Sequence, residues 1–479
     1  MPENWANPAG LDLHLQLHLE KSPTRPARAL EHALRTAMAD GRLTPGTRLP
    51  ASRTLAADLG VARNTVADVY AQLVAEGWCE ARVGAGTWVG ERAGHPRPSA
   101  RRPAPGTPPL DLRCGIPDVS GFPRRAWATA ARTAVTRAPD ADLGYPPTQG
   151  TATLRRVLAD YLARTRGVHG DPEHVLVTRG FGDLLAHVCR TLRTRGVRRI
   201  AVEEYGHERH RRIITAAGLT PVPLPVDEGG ADIAALPGTG AGAVLLTAAH
   251  QFPTGVPLEA ARRVEAVRWA ERTGGLVVED DYDGEFRYDR RSIGALQALA
   301  PGHVLYAGTA SKALAPAVGL AWAMVPDGFL PALLDSTASA GGGADALHQL
   351  TLAVFMEEHH YDRNVRRLRA RYRARRERLA ALVADALPGC RVTGLAAGLH
   401  CLLELPPGTP EERVEQAARE RGLLLEGLRT FAAAPRRAAR RPALAIGYGA
   451  PRAQRYEAAL AATVEAVTAA IRPAIRPGA

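Results

Sequence analysis

Apolar positions in residues 28–39, RALEHALRTAMA, recur at helical spacing, and the GRLTPGTRLP that follows ends the pattern with Gly41, Pro45, Gly46 and Pro50. The next segment, ASRTLAADLG, predicts a short helix with Ser52 as its cap and Gly60 at its end. VARNTVADVYAQLVAEG then sets Val66, Val69, Tyr70, Leu73 and Val74 on one face, a stripe that predicts an amphipathic helix. WCEARVGAGTWVG alternates around Gly84-Ala85-Gly86 and predicts a two-stranded hairpin. After residue 110 the pattern changes. Short apolar runs, HVLVT (174–178), RIAVEE (199–204), GAVLLTAAH (242–250), GLVVEDD (275–281) and HVLYAG (303–308), are separated by helix-length segments or turns. Strands alternating with helices predict an α/β domain on a largely parallel sheet.

Between the two patterns lies ERAGHPRPSARRPAPGTPP, rich in Pro, Gly and Arg and nearly devoid of side chains that pack. Such a stretch favours extended polyproline geometry and predicts a semi-rigid linker. The expected organisation is therefore a module over 11–90, a linker over 91–109 and a large domain over 110–475. A length of 479 residues suits more than one domain, and 46% hydrophobic with 23% charged residues is globular composition, which excludes a disordered chain. The net charge of +12 permits an anionic partner. It resides almost wholly in Arg beside abundant Ala, as GC-rich coding produces, so it adds little alone. The five cysteines, Cys79, Cys114, Cys189, Cys390 and Cys401, are scattered without CxxC spacing, so no disulfide framework or metal site is expected and a reducing cytoplasm is. The opening Met-Pro-Glu-Asn-Trp carries no secretory pattern, and no apolar run is long enough to cross a membrane.

Two helices joined by a tight glycine turn, the second opening on polar residues, predict a helix-turn-helix with double-stranded DNA as partner. Arg63, Asn64 and Thr65 fall where a recognition helix meets base edges and phosphates. Arginine grips guanine through two hydrogen bonds, and Asn and Thr suit adenine edges or backbone oxygens. Arg53 on the preceding helix is placed for a phosphate, and Gly86 for the tip of a wing on the minor groove or backbone. Acidic and basic residues nearly balance in this module, so the charge adds no footprint of its own.

In the large domain the chemistry centres on VLYAGTASKALAP, where Lys312 follows a strand and a turn of small residues. A desolvated lysine amine forms a Schiff base with an aldehyde, whereas an arginine would keep the charge and lose that chemistry. Lys312 is the only lysine besides Lys21, in a chain that otherwise uses Arg. Upstream, LVVEDDYDGEFRYDR ends an apolar strand in carboxylates and tyrosines. Pyridoxal phosphate needs an anion at its ring nitrogen and a donor at its ring oxygen, and Asp280 and Tyr282 suit those roles. Glu279, Asp281 and Asp283 are expected as helix caps or solvated loop groups. TRGFGDLLAHV offers a glycine turn entering a helix, whose amides near Gly180 and Phe181 suit a phosphate. The Arg-rich stretch 363–378 is expected to be mostly a solvated helix face.

GRLTPGTRLPASRTLAADLGVARNTVADVYAQLVAEG followed by GAGTWV resembles the GntR-type winged helix, with Ala62 where that family usually has a capping Ser. With YPPTQGTATLRRVLADYLARTRGV, HQFPTGVPL, EDDYDGEFRYDR, GTASKALAP and RRLRARYRARRERL, essentially the whole chain resembles the MocR/GabR-type regulators. These fuse a GntR-type winged helix to a fold-type I aminotransferase-like domain with a small C-terminal α+β subdomain. The resemblance implies pyridoxal phosphate held as an aldimine on Lys312, with Asp280 as pyridinium partner and Tyr282 as ring-oxygen donor. It further implies Thr309 and Ser311 at the phosphate and His207 as the aromatic stacked on the ring. It implies a homodimer, and a small amine, an amino acid or pyridoxal phosphate itself as effector. Three departures stand out: Gly319 takes the place of an arginine that clamps the phosphate, and Tyr205 and Ala249 stand where proline is usual. Cofactor binding is accordingly expected to be weak unless another arginine substitutes. A working aminotransferase with an accessory DNA-binding domain and a regulator with a vestigial pocket remain as rival readings. Arg429 is the nearest candidate for a substrate-carboxylate clamp.

Overall fold

The structure, a computed structural model, describes residues 26–82, 85–91, 110–288, 293–433 and 441–471. The chain divides into two compact units, Met1–Pro108 and Pro109–Ala479. Linker residues 92–109, residues 11–25 and 472–475 of the expected domains, Gly84 of the hairpin turn, and Asp289 and Arg290 of the acidic motif lie outside the described residues.

The first unit holds α1 (Pro26–Ala39), α2 (Ser52–Leu59), α3 (Arg63–Ala75) and an antiparallel pair, β1 (Cys79–Arg82) with β2 (Gly86–Val89). Pro26 opens α1, where its missing N–H costs no helical hydrogen bond. Leu30, Leu34 and Met38 of α1 meet Leu55 of α2, Val66, Val69 and Leu73 of α3, and Val89 of the hairpin in one core. The capping expectation for α2 is corrected by one residue: Ala51 is the N-cap, and Ser52 is the first helical residue. Gly60 ends α2 at φ 64°, ψ 30°, and its N–H reaches the carbonyls of Ala56 and Ala57. The Tyr70 hydroxyl donates to the Pro50 carbonyl at 3.0 Å and ties α3 to the preceding loop.

The second unit is built on a seven-stranded sheet. Its strands are β3 (Val175–Thr178), β4 (Arg199–Glu203), β5 (Thr220–Leu224), β6 (Ala243–Leu246), β7 (Leu276–Asp280), β8 (Val304–Thr309) and β9 (Ala321–Met324), in the order β3-β9-β8-β7-β6-β4-β5. β9 runs antiparallel to both neighbours, and the other pairings are parallel. β5 carries Pro221 and Pro223 and sits at the edge, where a missing N–H costs no ladder bond on the open side. A smaller antiparallel sheet follows, made of β10 (Arg391–Thr393), β11 (Cys401–Glu404), β12 (Glu426–Gly427) and β13 (Ala443–Ile446). Helices Glu411–Glu420 and Tyr456–Ile471 pack with it as the C-terminal α+β subdomain.

The helix His360–Ala386 departs from the expected solvated face. Arg375 is buried and donates to the carbonyls of Tyr448 and Pro451, Arg369 to that of Glu285 and Arg376 to that of Gly394, while Arg371 pairs with buried Asp118. These arginines bind the helix to the segments it crosses; Arg363, Arg366, Arg373 and Arg378 are the exposed remainder, with Arg367. Among the described residues no helix is long and apolar enough to cross a membrane.

Candidate cofactor site and nucleic-acid surface

On the first unit, α3 begins at Arg63 with Ala62 as an N-cap that supplies no side-chain acceptor. Arg63 and Asn64 are exposed in its first turn, Thr65 is half-buried, Arg53 is exposed on α2 and Gly86 is exposed at the start of β2. The hydrophobic stripe of α3 faces the core and thereby turns its polar first turn outward. Uncapped amides add a partial positive charge there, which favours phosphate.

On the second unit, a cavity of about 440 Å³ lies beyond the C-terminal ends of β4, β6, β7 and β8. Open α/β sheets place ligands at that edge. Its lining includes Gly180, Phe181, His207, Asp280, Tyr282, Thr309, Ser311, Lys312 and Gly319. The fold thus brings together in one cavity every residue to which the sequence assigned a cofactor contact, while Ala249, one of the three departures, does not line it. Asp280 is the last residue of β7; Thr309 ends β8 and caps the short helix Ala310–Ala313, which carries Lys312. The Thr309 hydroxyl donates to Ser311 Oγ at 2.9 Å and accepts from the Ser311 amide at 3.2 Å. Gly180, at φ 127°, leads into the helix Phe181–Thr194 and lets its first amides face the cavity.

Burial holds the Lys312 amine below the ordinary lysine range, against the pull of Asp280 and Asp283. Its Nζ donates to the Gly115 carbonyl at 2.6 Å. Burial drives the Asp280 carboxyl well above the usual range, with Lys312 opposing the shift, and among the described residues that carboxyl takes no hydrogen bond. A cation placed against Asp280 would restore its charge. A deprotonation-prone amine, a buried carboxyl awaiting a cationic partner and a helix N-terminus are the set that pyridoxal phosphate requires, so the residues present fit that group. The His207 ring stacks on Phe252 at 3.9 Å, and burial, reinforced by Lys312, Arg211 and Arg209, pushes its pKa down to about 4.

The neighbouring carboxylates correct an expectation. Glu279, Asp281 and Asp283 are all buried, and none is a solvated loop group. Glu279 accepts the amides of Leu296 and Gln297 at 2.7 and 3.1 Å. Asp281 accepts from Arg166 Nε at 2.6 Å and from the Tyr306 hydroxyl at 2.8 Å. Asp283 meets His250 Nδ1 at 2.8 Å, and the Tyr282 hydroxyl lies 3.3 Å from that nitrogen and donates to the His250 carbonyl at 3.1 Å. His250, Asp283 and buried His400 form a cluster whose donor atoms lie within 4.8 Å of one another behind Tyr282. Their partners are remote in sequence, so no local pattern announced them. Glu203, at the end of β4, is a further cavity residue that sequence reasoning missed. It accepts the Thr247 amide at 3.1 Å and Gln251 Nε2 at 3.3 Å, and burial pushes its pKa up to about 7. Arg429 pairs with Glu412 and is not among the residues lining the cavity.

Comparison with known proteins follows the same division. Residues 26–89 match the family Bacterial regulatory proteins, gntR family, and residues 109–440 match Aminotransferase class I and II. The chain is 33% identical to the HTH-type pyridoxine biosynthesis transcriptional regulator PdxR of Corynebacterium glutamicum, over 88% of this chain and 91% of that one. It is 32% identical to a Rhizobium meliloti protein named "Probable rhizopine catabolism regulatory protein MocR", over 74% and 76% of the two chains. The HTH-type transcriptional regulator TauR of Rhodobacter capsulatus shares 30% identity over 84% of this chain and 90% of its own. Among solved structures, a kynurenine aminotransferase of Pyrococcus horikoshii aligns with TM-score 0.69 at 20% identity, over 77% of this chain and 92% of that one. That likeness shows the aminotransferase fold.

Proposed function

The chain belongs to the aminotransferase class I and II family, joined to a GntR-family DNA-binding domain as in the MocR-type transcription regulators, and from that premise we propose that it senses pyridoxal phosphate bound at Lys312. Bound there, pyridoxal phosphate supplies an aldehyde that accepts an amine and a ring that withdraws electrons. Lys312 contributes an amine that burial keeps ready to lose its proton. Asp280 holds a cationic ring nitrogen, and the Tyr282 hydroxyl would turn from the His250 carbonyl to the ring oxygen. The amides near Gly180 and Phe181, with the hydroxyls of Thr309 and Ser311, take the phosphate, and His207 presents an aromatic face. The observation that carries this reading is the meeting in one cavity of Lys312 with a buried Asp280 carboxyl that takes no hydrogen bond among the described residues. The name of the Corynebacterium glutamicum relative, a regulator of pyridoxine biosynthesis, favours pyridoxal phosphate itself as the signal over a separate amine or amino-acid effector.

Arg63, Asn64 and Thr65 read base edges, while Arg53 and Gly86 approach the backbone. The regulator acts as a homodimer on two half-sites. Val135, Leu143, Tyr145 and Leu347 are exposed apolar residues on or beside two helices that pack together, Arg124–Arg137 and Ala346–Glu357, and such a patch suits a second copy.

Pyridoxal phosphate is titrated into the full-length protein while visible absorbance and promoter binding are followed together. Both signals are expected to saturate over one concentration range, and Lys312→Ala to abolish both responses. A colourless protein, or a DNA response that survives Lys312→Ala, would overturn the reading. Rapid multiple turnover of an amino donor with a keto acid would instead identify an enzyme.

A further inference from the structure

Gly319 lines the cavity beside Ser311, yet it offers no side chain to a phosphate dianion. Three arginines line the same cavity: Arg179, Arg209 and Arg211. Two are already engaged. Arg211 Nη1 donates to the carbonyls of Gly206 at 2.9 Å and Phe431 at 3.1 Å, which fastens the loop that carries His207. Arg179 lies on the strand side of the glycine turn, with its Nε 3.8 Å from the Asp183 carboxylate one helical turn on. Arg209 is different. It has no hydrogen bond or ion pair among the described residues, and its guanidinium lies over the first turn of the helix Phe181–Thr194. A Cβ added at Gly182 would stand 3.2 Å from Arg209 Nη2 and 3.5 Å from its Cζ, so the absence of a side chain at 182 admits the guanidinium. Two positive elements, the helix amides and an unneutralised arginine, therefore converge at one end of the cavity. Arg209 is exposed, so solvent screens its charge, and an anion seated between it and the helix amides would be held by a charge-assisted clamp.

We propose that Arg209, beside the first turn of the helix Phe181–Thr194, binds the phosphate of pyridoxal phosphate in a cavity where Gly319 offers no side chain to it. The inference rests on the reading that pyridoxal phosphate occupies this cavity. It assigns Arg209 to the phosphate alone, since Asp280, Tyr282 and Lys312 serve the ring and aldehyde.

The test compares pyridoxal phosphate with pyridoxal, which keeps the ring and aldehyde and lacks the phosphate. Both are titrated into full-length wild type, Arg209→Met, Arg209→Lys and Lys312→Ala, and read by visible absorbance. Arg209→Met is expected to weaken pyridoxal phosphate roughly tenfold to a hundredfold, as loss of a charged hydrogen bond does, and to leave pyridoxal unchanged. Arg209→Lys is expected to recover part of the loss. Wild-type affinity for pyridoxal phosphate in Arg209→Met overturns the assignment, as does an equal loss for both compounds, which would mark Arg209 as structural. If wild type itself shows no Lys312-dependent binding, the cofactor reading fails, and this inference fails with it. Retained cofactor affinity in Arg209→Met with a lost response to an added amino acid would reassign Arg209 to an effector carboxylate.

Discussion

Substituting Gly319→Arg separates the cost of a backbone position from the gain of a charge. Gly319 sits at φ 66°, ψ 30°, at the end of the turn Pro316–Val318, and a Cβ added there meets nothing within 4 Å. The Cβ of an arginine therefore meets no neighbour. The left-handed backbone costs an L-residue about 1–2 kcal/mol, and this cost is the same with and without ligand, so it lowers stability and cancels from affinity. What remains in the binding equilibrium is a charged hydrogen bond to phosphate, about 1.5–3 kcal/mol, or roughly tenfold to a hundredfold in Kd. Absorbance titration of full-length protein should show pyridoxal phosphate binding tightened by that factor and pyridoxal binding unchanged. Thermal unfolding without ligand should show the small loss of stability. Because the added contact is made by the cavity alone and tightens binding equally in free and DNA-bound protein, the midpoint of the DNA response should move to lower ligand concentration by the same factor. Unchanged affinity for pyridoxal phosphate, or a gain shared equally with pyridoxal, would refute the assignment of this corner to phosphate.

Further predictions follow from the buried charges and from the first unit. Asp281→Ala strands Arg166 without its carboxylate in a buried site and should destabilise the second unit by about 3–5 kcal/mol, read as a fall in the urea midpoint by tryptophan fluorescence; an unchanged midpoint would contradict the pairing. Burial lowers the His207 pKa from 6.5 to about 4, so between those values the unfolded chain binds more protons, and stability should fall as pH drops from 6.5 toward 4. His207→Phe should flatten that part of the profile and leave the contribution of His210, which burial shifts in the same direction to about 3. Arg63→Ala should weaken promoter binding by about 1–3 kcal/mol per half-site without moving the melting temperature, since Arg63 is exposed, and an intact footprint would remove it from the interface. Ala62→Ser should stabilise the first unit by about 1 kcal/mol by capping α3, measured by thermal unfolding.

The legibility of each element in the sequence followed the range of the forces that fix it. The apolar stripe of α3 and the runs of β3, β4, β6, β7 and β8 are local patterns; four of the five predicted runs contain an observed strand, and the fifth falls one residue short, since β8 extends to Thr309. TPVPL and AWAM carry no such pattern. β5 forms because its prolines are tolerated at an open edge, and β9 forms because antiparallel pairing with β3 and β8 on both sides buries its Trp322 and Met324. Lys312 was legible through composition, as a lysine in a chain that uses arginine. The buried carboxylates were not. Asp281 finds Arg166 and Asp283 finds His250 across long stretches of chain, and only the closed fold brings those partners within hydrogen-bond reach. Arg209 was hidden for the same reason, since its proximity to Gly182 joins two helices that the sequence presents as separate.

Sensing requires that the ligand distinguish two arrangements of the protein, because a ligand that binds both equally shifts nothing. The bond from Lys312 Nζ to the Gly115 carbonyl offers a place for that difference. Gly115 lies five residues beyond Leu110, where the described part of the second unit begins, on the segment that continues from the linker toward the DNA-binding unit. Leu110 and Asp111 of that segment pair with Leu423 and Leu424, so its register is set by the C-terminal subdomain, while its Gly115 end is held by Lys312. At φ 76°, with a Cβ position 3.5 Å from the His207 ring, Gly115 is also confined by the residue assigned to stack on the cofactor. A lysine that commits its amine to a ligand releases or redirects its hold on Gly115, and a ring laid against His207 alters the same contact from the other side. Both changes fall on the stretch of chain nearest the linker.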